Sequence, residues 1–415
     1  MTPSIWRAFG YSADFRRLMA ALAVSQLGAK LAREALPLTA VLVLGVGPLA
    51  MSSLSIAASL PTLLMALHAG AFLDRIRRRP SMIVADLARF LVLLTVPIAA
   101  YLGWLGIGQL CLVAFVVSGL TLAFDIADQA YLPGLVGRDQ ILGANAAKEA
   151  SAAAAEVVGP PLGGLLVQAI GGPLTILLDA VSYLVSAVFL LRIKAPEEPP
   201  VVTAKPDLRA EIRDGLRIIW RDSVLRPLLF ARFIRAFFVS MVAPFYVLYL
   251  VGELKLSPLA LGLIVATGGA ASLVGAALAP WLAQRFPIGP SLIVAFAVKA
   301  LGVACIPLAG LLLGVSPTLM IIFLVLQQLL GDSSTGYFVV IERSLRQRRV
   351  PASHLARTGA TIRLVNDGPL PFAATLAGFI AEAYGLNAMM WLAIAGYAFA
   401  PVVAFFSDVR HLRQL

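Results

Sequence analysis

The sequence predicts an all-α integral membrane protein with twelve transmembrane helices in two pseudo-symmetric six-helix bundles. Of its 415 residues, 60% are hydrophobic and 13% are charged, and the mean hydropathy is +0.89. A soluble domain carries about 25% charged residues, so this composition excludes an ordinary globular protein. The apolar residues also form runs of about 20, the length that crosses a bilayer. Such runs must be helical, because backbone groups in hydrocarbon have to be bonded within the segment.

The length criterion places the spans in order along the chain. They lie at residues 17–45, 49–72, 81–101, 108–132, 142–168, 173–193, 227–251, 257–281, 289–312, 316–340, 358–382 and 386–407. We expect three segments: a bundle over 1–193, a cytoplasmic linker over 194–226 and a second bundle over 227–415.

Arginine marks every second loop, with clusters such as Arg77–Arg79 and Arg346–Arg349, while the opposite loops are nearly uncharged. The positive-inside rule therefore places both termini in the cytoplasm, which agrees with an even number of spans. The net charge of +11 lies in these short loops. It therefore indicates contact with anionic lipid headgroups, and no nucleic-acid partner is expected.

The linker begins KAPEEPPVVTAKP, a composition typical of a connecting segment. The stretch that follows predicts an amphipathic helix, because Leu208, Ile212, Leu216 and Ile219 share one face while arginines repeat on another. We expect this helix to lie on the cytoplasmic membrane surface. A solvated linker helix is the alternative.

Two pairs of similar stretches relate the halves of the chain. GAFLDRIRRRP begins at Gly70 and GAALAPWLAQRFP at Gly275, while GPPLGG begins at Gly159 and GPLPFAATLAG at Gly368. Internal repeats of this kind, with a site at their interface, are typical of secondary transporters.

The first of these stretches resembles the signature of the major facilitator superfamily, G-x-L-x-D-R-x-G-R-R. The matching residues are Gly70, Asp74, Arg75, Arg78 and Arg79. The resemblance implies a cytoplasmic gate, in which the carboxylate holds neighbouring helix ends by charge-assisted hydrogen bonds. A basic loop that only fixes topology is the alternative.

GPPLGG resembles the Gly-Pro motif that antiporters of this superfamily carry in their fifth span. The residues concerned are Gly159, Pro160, Gly163 and Gly164. Proline kinks a helix and glycine allows a close neighbour, so the same residues also suit a purely structural packing role.

Three further stretches, SQLGAKLAREALPL, AYLPGLVGRDQILGANAA and DGLRIIWRDSVLRP, are similar to the exporter branch that includes macrolide-efflux and siderophore-export proteins. The resemblance implies a secondary active transporter that exports small amphiphilic molecules by alternating access and proton-coupled antiport. A lipid or lysophospholipid flippase and an uptake symporter are the alternatives. The implied location is the bacterial inner membrane, and we expect a monomer whose partners are substrate, protons and lipids.

An enzyme is not expected, because the sequence contains no phosphate-binding loop, no HExxH and no paired-cysteine motif. We likewise expect no cofactor and no metal site.

Ionisable residues inside predicted spans are candidates for substrate binding or proton coupling, because such residues face the bundle interior or a water-filled cavity. They are Lys30, Arg33, Glu34, Asp125, Asp128, Glu156, Arg232, Arg235 and Asp332. We expect Lys30 to pair with Glu34 one helical turn away. Glu34 and Asp128 are the first candidates for the proton carrier, with a purely structural ion pair as the alternative for Glu34. A structural role is also the alternative for Arg232 and Arg235. For Asp179 and for Lys299, each on a supporting helix, we expect a structural ion pair with some other residue.

Overall fold

A computed structural model describes residues 12–65, 77–137, 140–197, 208–351 and 354–413. Every regular element within these ranges is a helix, so the predicted all-α class is confirmed.

In the first half of the chain, the described residues form six helices, each matching one predicted span. They are α1 Ala13–Leu42, α2 Pro48–Met65, α3 Arg78–Tyr101, α4 Ile107–Val136, α5 Ile141–Ile170 and α6 Gly172–Leu191.

The second half opens with the short helix α7, which the amphipathic pattern predicts, and continues through eight more. These are α7 Leu208–Arg221, α8 Leu225–Val242, α9 Pro258–Arg285, α10 Ile288–Leu311, α11 Pro317–Arg349, α12 Leu355–Asp367, α13 Leu370–Tyr384, α14 Leu386–Tyr397 and α15 Phe399–Phe405.

Nine helical stretches within the described ranges are long and apolar enough to cross a membrane. They are α3, α4, α5, α6, α8 with its continuation to Glu253, α9, α10, α11, and α14 together with α15. The other three predicted spans are also helical. Of these, α1 carries charged residues in its middle, α2 is described only over Pro48–Met65, and the eleventh span is divided between α12 and α13.

Two helices depart in detail from the predicted spans. The helix of the eleventh span is interrupted between Asp367 and Leu370, where Pro369 has no backbone N–H to donate, although Gly368 and Pro369 keep helical dihedral angles. The helix α11 continues beyond the predicted end of the tenth span at residue 340, to Arg349. The arginines predicted to form a loop there extend the helix instead, and cations at a helix C-terminus interact favourably with its dipole.

The described residues divide into two compact units. The first contains those within 1–46, 57–206 and 257–263, and the second those within 47–56, 207–256 and 264–415. The core of the first unit joins α1, α3, α4 and α6 through buried side chains such as Leu18, Met82, Phe124 and Leu190.

The core of the second unit joins α8, α10 and α11 through Leu228, Phe296 and Phe338, and it includes Ile219 of α7. Asp214 of α7 also pairs with Arg357 of α12 at 3.2 Å. The last turns of α7 therefore pack on protein, in addition to any surface that they present to lipid or water.

Candidate functional site

Part of the predicted gate lies outside the described residues, namely Gly70, Asp74 and Arg75. The described part joins the start of α3 to the end of α6: Arg79 donates hydrogen bonds to the backbone carbonyls of Leu190 and Leu191 at 2.9 and 2.7 Å. The carboxylate of Glu197 accepts hydrogen bonds from the backbone amides of Arg78 and Arg79. A carboxylate at a helix N-terminus and a cation at a helix C-terminus both complement the helix dipole. Sequence reasoning missed Glu197.

The most prominent group of charges in the first unit joins α1 to α5, and we call it the α1–α5 cluster: Lys30, Arg33, Glu34 and Glu156. Glu156 forms ion pairs with Lys30 and with Arg33, the latter at 2.8 Å. The Arg33 Nε also lies 3.6 Å from a carboxylate oxygen of Glu34. The cluster thus holds two cations and two carboxylates, and its formal charges balance.

The predicted pairing of Lys30 with Glu34 is wrong, because Lys30 binds Glu156 on the neighbouring helix. The reason is the close approach of α1 and α5 at Gly159, where a Cβ atom would overlap the side chain of Lys30. A glycine at this point lets the two helices meet, so the lysine reaches across to α5 rather than along α1.

The rest of the Gly-Pro stretch is also a packing surface. Gly163 lies against Leu31 of α1, and Gly164 lies against the backbone carbonyl of Pro258, in the first turn of α9. In return, Gly262 of α9 lies against the carbonyl of Pro160. The helix α5 continues through both of its prolines without a break.

Accessibility separates the two carboxylates of the α1–α5 cluster. The side chain of Glu156 is 40% exposed, whereas that of Glu34 is 10% exposed. A polar ligand can therefore reach Glu156 directly, but it can reach Glu34 only after local rearrangement.

A second pair in the first unit joins α4 to α5, where buried Asp128 binds Lys148. Asp125, one turn earlier on α4, lies on the exposed side of the helix. Of these two candidates for proton coupling, only Asp128 is therefore enclosed. Lys148 did not stand out in the sequence because it lies near the predicted membrane surface.

The second unit holds a basic group that we call the α8–α11 cluster: Arg232, Arg235, Glu342 and Arg346. Arg232 pairs with Glu342 at 3.0 Å, and Arg346 lies 3.9 Å from the same carboxylate. Arg235 donates to the side-chain oxygen of Asn366 at 3.1 Å. Two guanidinium groups thus share the Glu342 carboxylate, and the third, that of Arg235, bonds a neutral amide. Both candidate arginines of α8 belong to this cluster, and sequence reasoning missed Glu342.

Asp332 of α11 pairs with Lys299 of α10 at 3.0 Å. Structural pairing was expected for Lys299, whereas Asp332 was a candidate for coupling. The two functions are not exclusive, because an ion pair inside a membrane span can also exchange a proton.

An apolar groove of about 490 Å³ lies beside this pair, between α9, α10 and α11. Leu278, Phe286, Val294 and Tyr337 are among the residues that line it. Its lining and volume suit a lipid acyl chain.

The chain matches the Major Facilitator Superfamily over residues 18–367. It is 30% identical over 348 residues to the multidrug efflux pump Tap of Mycobacterium tuberculosis. This alignment covers 79% of this chain and 80% of that protein. It is 24% identical over 336 residues to the uncharacterized MFS-type transporter YvqJ of Bacillus subtilis. That alignment covers 79% of this chain and 76% of the relative.

Solved transporters share the fold at low sequence identity. A bacterial homologue of the iron transporter ferroportin, in an inward-facing state, superposes with a TM-score of 0.72 at 17% identity, covering 94% of this chain and 98% of its own. The nucleoside transporter NupG gives a TM-score of 0.74 at 12% identity, covering 95% of this chain and 98% of its own.

Proposed function

Because the chain belongs to the Major Facilitator Superfamily of membrane transporters, we propose that it exports small amphiphilic molecules in exchange for protons. The substrate class is a drug, a siderophore or a related metabolite. Two findings support export over uptake. The multidrug efflux pump Tap is 30% identical, and the fifth span carries the Gly-Pro stretch that resembles the antiporter motif.

The observation that carries the proposal is the α1–α5 cluster. Charged side chains inside a membrane span face a water-filled cavity or one another, because hydrocarbon solvates them poorly. Here they do both: the cluster is internally balanced, and Glu156 is accessible at the same time.

Exchange follows from competition at the carboxylate. When Glu156 is ionised, it binds Lys30 and Arg33 or a cationic group of the substrate. When Glu156 is protonated, it loses its attraction for all three. A group that binds either a proton or the substrate, but not both at once, links their movements in opposite directions.

Glu34, Asp125, Asp128 and Asp332 are further candidates for the proton step. Among them, Glu34 has a place in the same cluster, since Arg33 lies between it and Glu156. A proton that leaves Glu156 therefore changes the electrostatic field at Glu34 through a shared cation.

The proposal includes the orientation of the chain and its gate. The distribution of arginine supports a multi-pass protein of the bacterial cytoplasmic membrane with both termini inside. We assign Asp74, Arg75, Arg78 and Arg79 to the cytoplasmic gate, and we expect the transporter to act as a monomer.

Accumulation in a pump-deficient bacterium tests the function. Cells that express the chain should accumulate less ethidium, an amphiphilic aromatic cation, or less of at least one compound in a panel of antibiotics and siderophores. A protonophore should abolish the difference. Cells that express Glu149→Gln, an exposed change on α5, serve as the matched control. Higher accumulation on expression would indicate uptake, and unchanged accumulation of every compound would contradict export.

A further inference from the structure

Three ionisable side chains outside the proposed site lie in the interior of the first unit, and we call them the α3–α6 cluster: Asp86, Arg89 and Asp179. Asp86 and Asp179 are 0% exposed and Arg89 is 3% exposed. Asp86 and Arg89 belong to α3 and Asp179 belongs to α6, each near the middle of its helix. The sequence placed Asp179 among supporting residues, and the other two escaped notice.

Arg89 contacts one carboxylate and two aromatic rings. Its guanidinium forms an ion pair with Asp86, one turn earlier on the same helix. The guanidinium carbon lies 4.1 Å from the ring centre of Tyr183 and 4.6 Å from that of Phe124. Arginine remains protonated in proteins, and aromatic faces stabilise it further.

Asp179 is enclosed but incompletely bonded. One carboxylate oxygen accepts a hydrogen bond from Ser182 at 3.3 Å. The other oxygen is buried and has no hydrogen-bond partner among the described residues. The helix α1 closes over this position at Gly28, where a Cβ atom would overlap Ser182 and crowd the Asp179 carboxylate.

The charges of this cluster do not balance. Two carboxylates face one guanidinium. Among the residues that the structure describes, the remaining titratable group in electrostatic contact with them is Tyr183, which is neutral at physiological pH. An unpaired buried charge is strongly unfavourable, and a carboxylate avoids this by taking up a proton.

We propose that Asp86 and Asp179 together hold one exchangeable proton, which makes the α3–α6 cluster a buried proton-binding site. Because the carboxylates are coupled through Arg89, the proton belongs to the pair rather than to either residue. With the proton bound, the cluster is neutral.

A role for this proton in transport rests on the proposed function. One face of α1 closes the α3–α6 cluster at Gly28, and the next turn of α1 carries Lys30 and Arg33 to Glu156. Water can reach Asp179 only if α1 and α6 separate. A movement of α1 that rearranges the α1–α5 cluster would therefore also open the buried proton to exchange.

Infrared spectroscopy of the purified, reconstituted protein tests the site without a substrate. At neutral pH, the wild type should show the carbonyl stretch of a protonated carboxylic acid. Asp179→Asn and Asp86→Asn should each remove that band, because the one remaining carboxylate is then balanced by Arg89. Arg89→Gln should strengthen the band roughly twofold, because two carboxylates then lack a cation.

Glu149→Gln should leave the band unchanged, because Glu149 is exposed. A variant is compared with the wild type only if both elute at the same volume in size-exclusion chromatography. Absence of the band in the wild type would overturn the proposal even if no variant could be purified. Persistence of the band in either folded aspartate variant would also overturn it. Failure of ethidium export would leave the band unaffected, so the site and the proposed function are tested separately.

Discussion

The two units place charges of opposite balance on related helical frameworks. In the first unit, the α1–α5 cluster is balanced and the α3–α6 cluster has one carboxylate in excess. In the second unit, the α8–α11 cluster holds three arginines and one carboxylate: Arg232 and Arg346 pair with Glu342, and Arg235 bonds Asn366. The accessible carboxylate of these three clusters, Glu156, lies in the first unit, whereas Glu342 is buried.

Backbone features, by contrast, recur in both units. Asp14 near the start of α1 accepts hydrogen bonds from the backbone amides of Lys194 and Ala195, after α6, and Asp222 accepts them from the amides that open α8. A Gly-Pro pair also occurs in both, although α5 continues through Pro160 whereas Pro369 lies between α12 and α13, where the helical hydrogen bonding is interrupted. The repeated features explain the fold. The charges differ between the units. We place the exchange at Glu156 in the first unit, and we assign a structural role to the α8–α11 cluster of the second.

The largest expected effect on stability is that of Glu342→Gln. Removing this carboxylate leaves Arg232 and Arg346 without their counter-ion, and breaking a buried pair costs about 3–5 kcal/mol. The midpoint of thermal unfolding in detergent should therefore fall markedly. The double variant Arg232→Gln with Glu342→Gln should be more stable than Glu342→Gln alone, because one uncompensated charge is gone.

Arg343→Gln provides the control, because Arg343 is exposed on the same turn of α11. It should leave the midpoint unchanged. A Glu342→Gln variant as stable as this control would remove the distinction between a structural second unit and a functional first one.

A smaller effect is expected at Asp222, which lies outside the membrane spans. Its carboxylate accepts hydrogen bonds from the amides of Val224 and Leu225 and from Arg349, at 2.9, 2.8 and 3.0 Å. Burial raises the pKa of this carboxyl, but the hydrogen bonds and the nearby Arg349 outweigh that effect and lower it. Asp222→Ala should cost about 1 kcal/mol, as the loss of a helix cap does.

The pH dependence has a definite sign. Because the pKa of Asp222 is lower in the folded state, its contribution is complete above the ordinary carboxyl pKa of about 4 and disappears as the pH falls through the lowered pKa. The difference in unfolding midpoint between the wild type and Asp222→Ala should therefore shrink in acid. Asp14→Ala, which removes the acceptor for the amides of Lys194 and Ala195 in the first unit, should show a loss of similar size at neutral pH. A loss at only one position would mean that the two carboxylate–amide contacts do not contribute equally.

The sequence predicted the fold better than the site, for physical reasons. Runs of about 20 apolar residues must be helical in a membrane, so the spans followed from composition and length. Partners across helices depend on which faces meet. Lys30 was therefore assigned to Glu34 by spacing, whereas the close approach at Gly159 directs it to Glu156. Asp86 and Arg89 were detectable as ionisable residues one turn apart within a predicted span, but their joint excess charge with Asp179 required the fold.

The central claim is that Glu156 links outward movement of substrate to inward movement of protons. Proteoliposomes loaded with ethidium and a pH-sensitive dye measure this link directly, with potassium and valinomycin present on both sides so that the membrane voltage stays near zero. Ethidium leaving down its gradient should acidify the lumen with the wild type and with Glu149→Gln. It should leave the lumenal pH unchanged with Glu156→Gln, although ethidium still crosses. Acidification by Glu156→Gln at the wild-type rate, or ethidium efflux by the wild type with no pH change or with alkalinisation, would contradict the account.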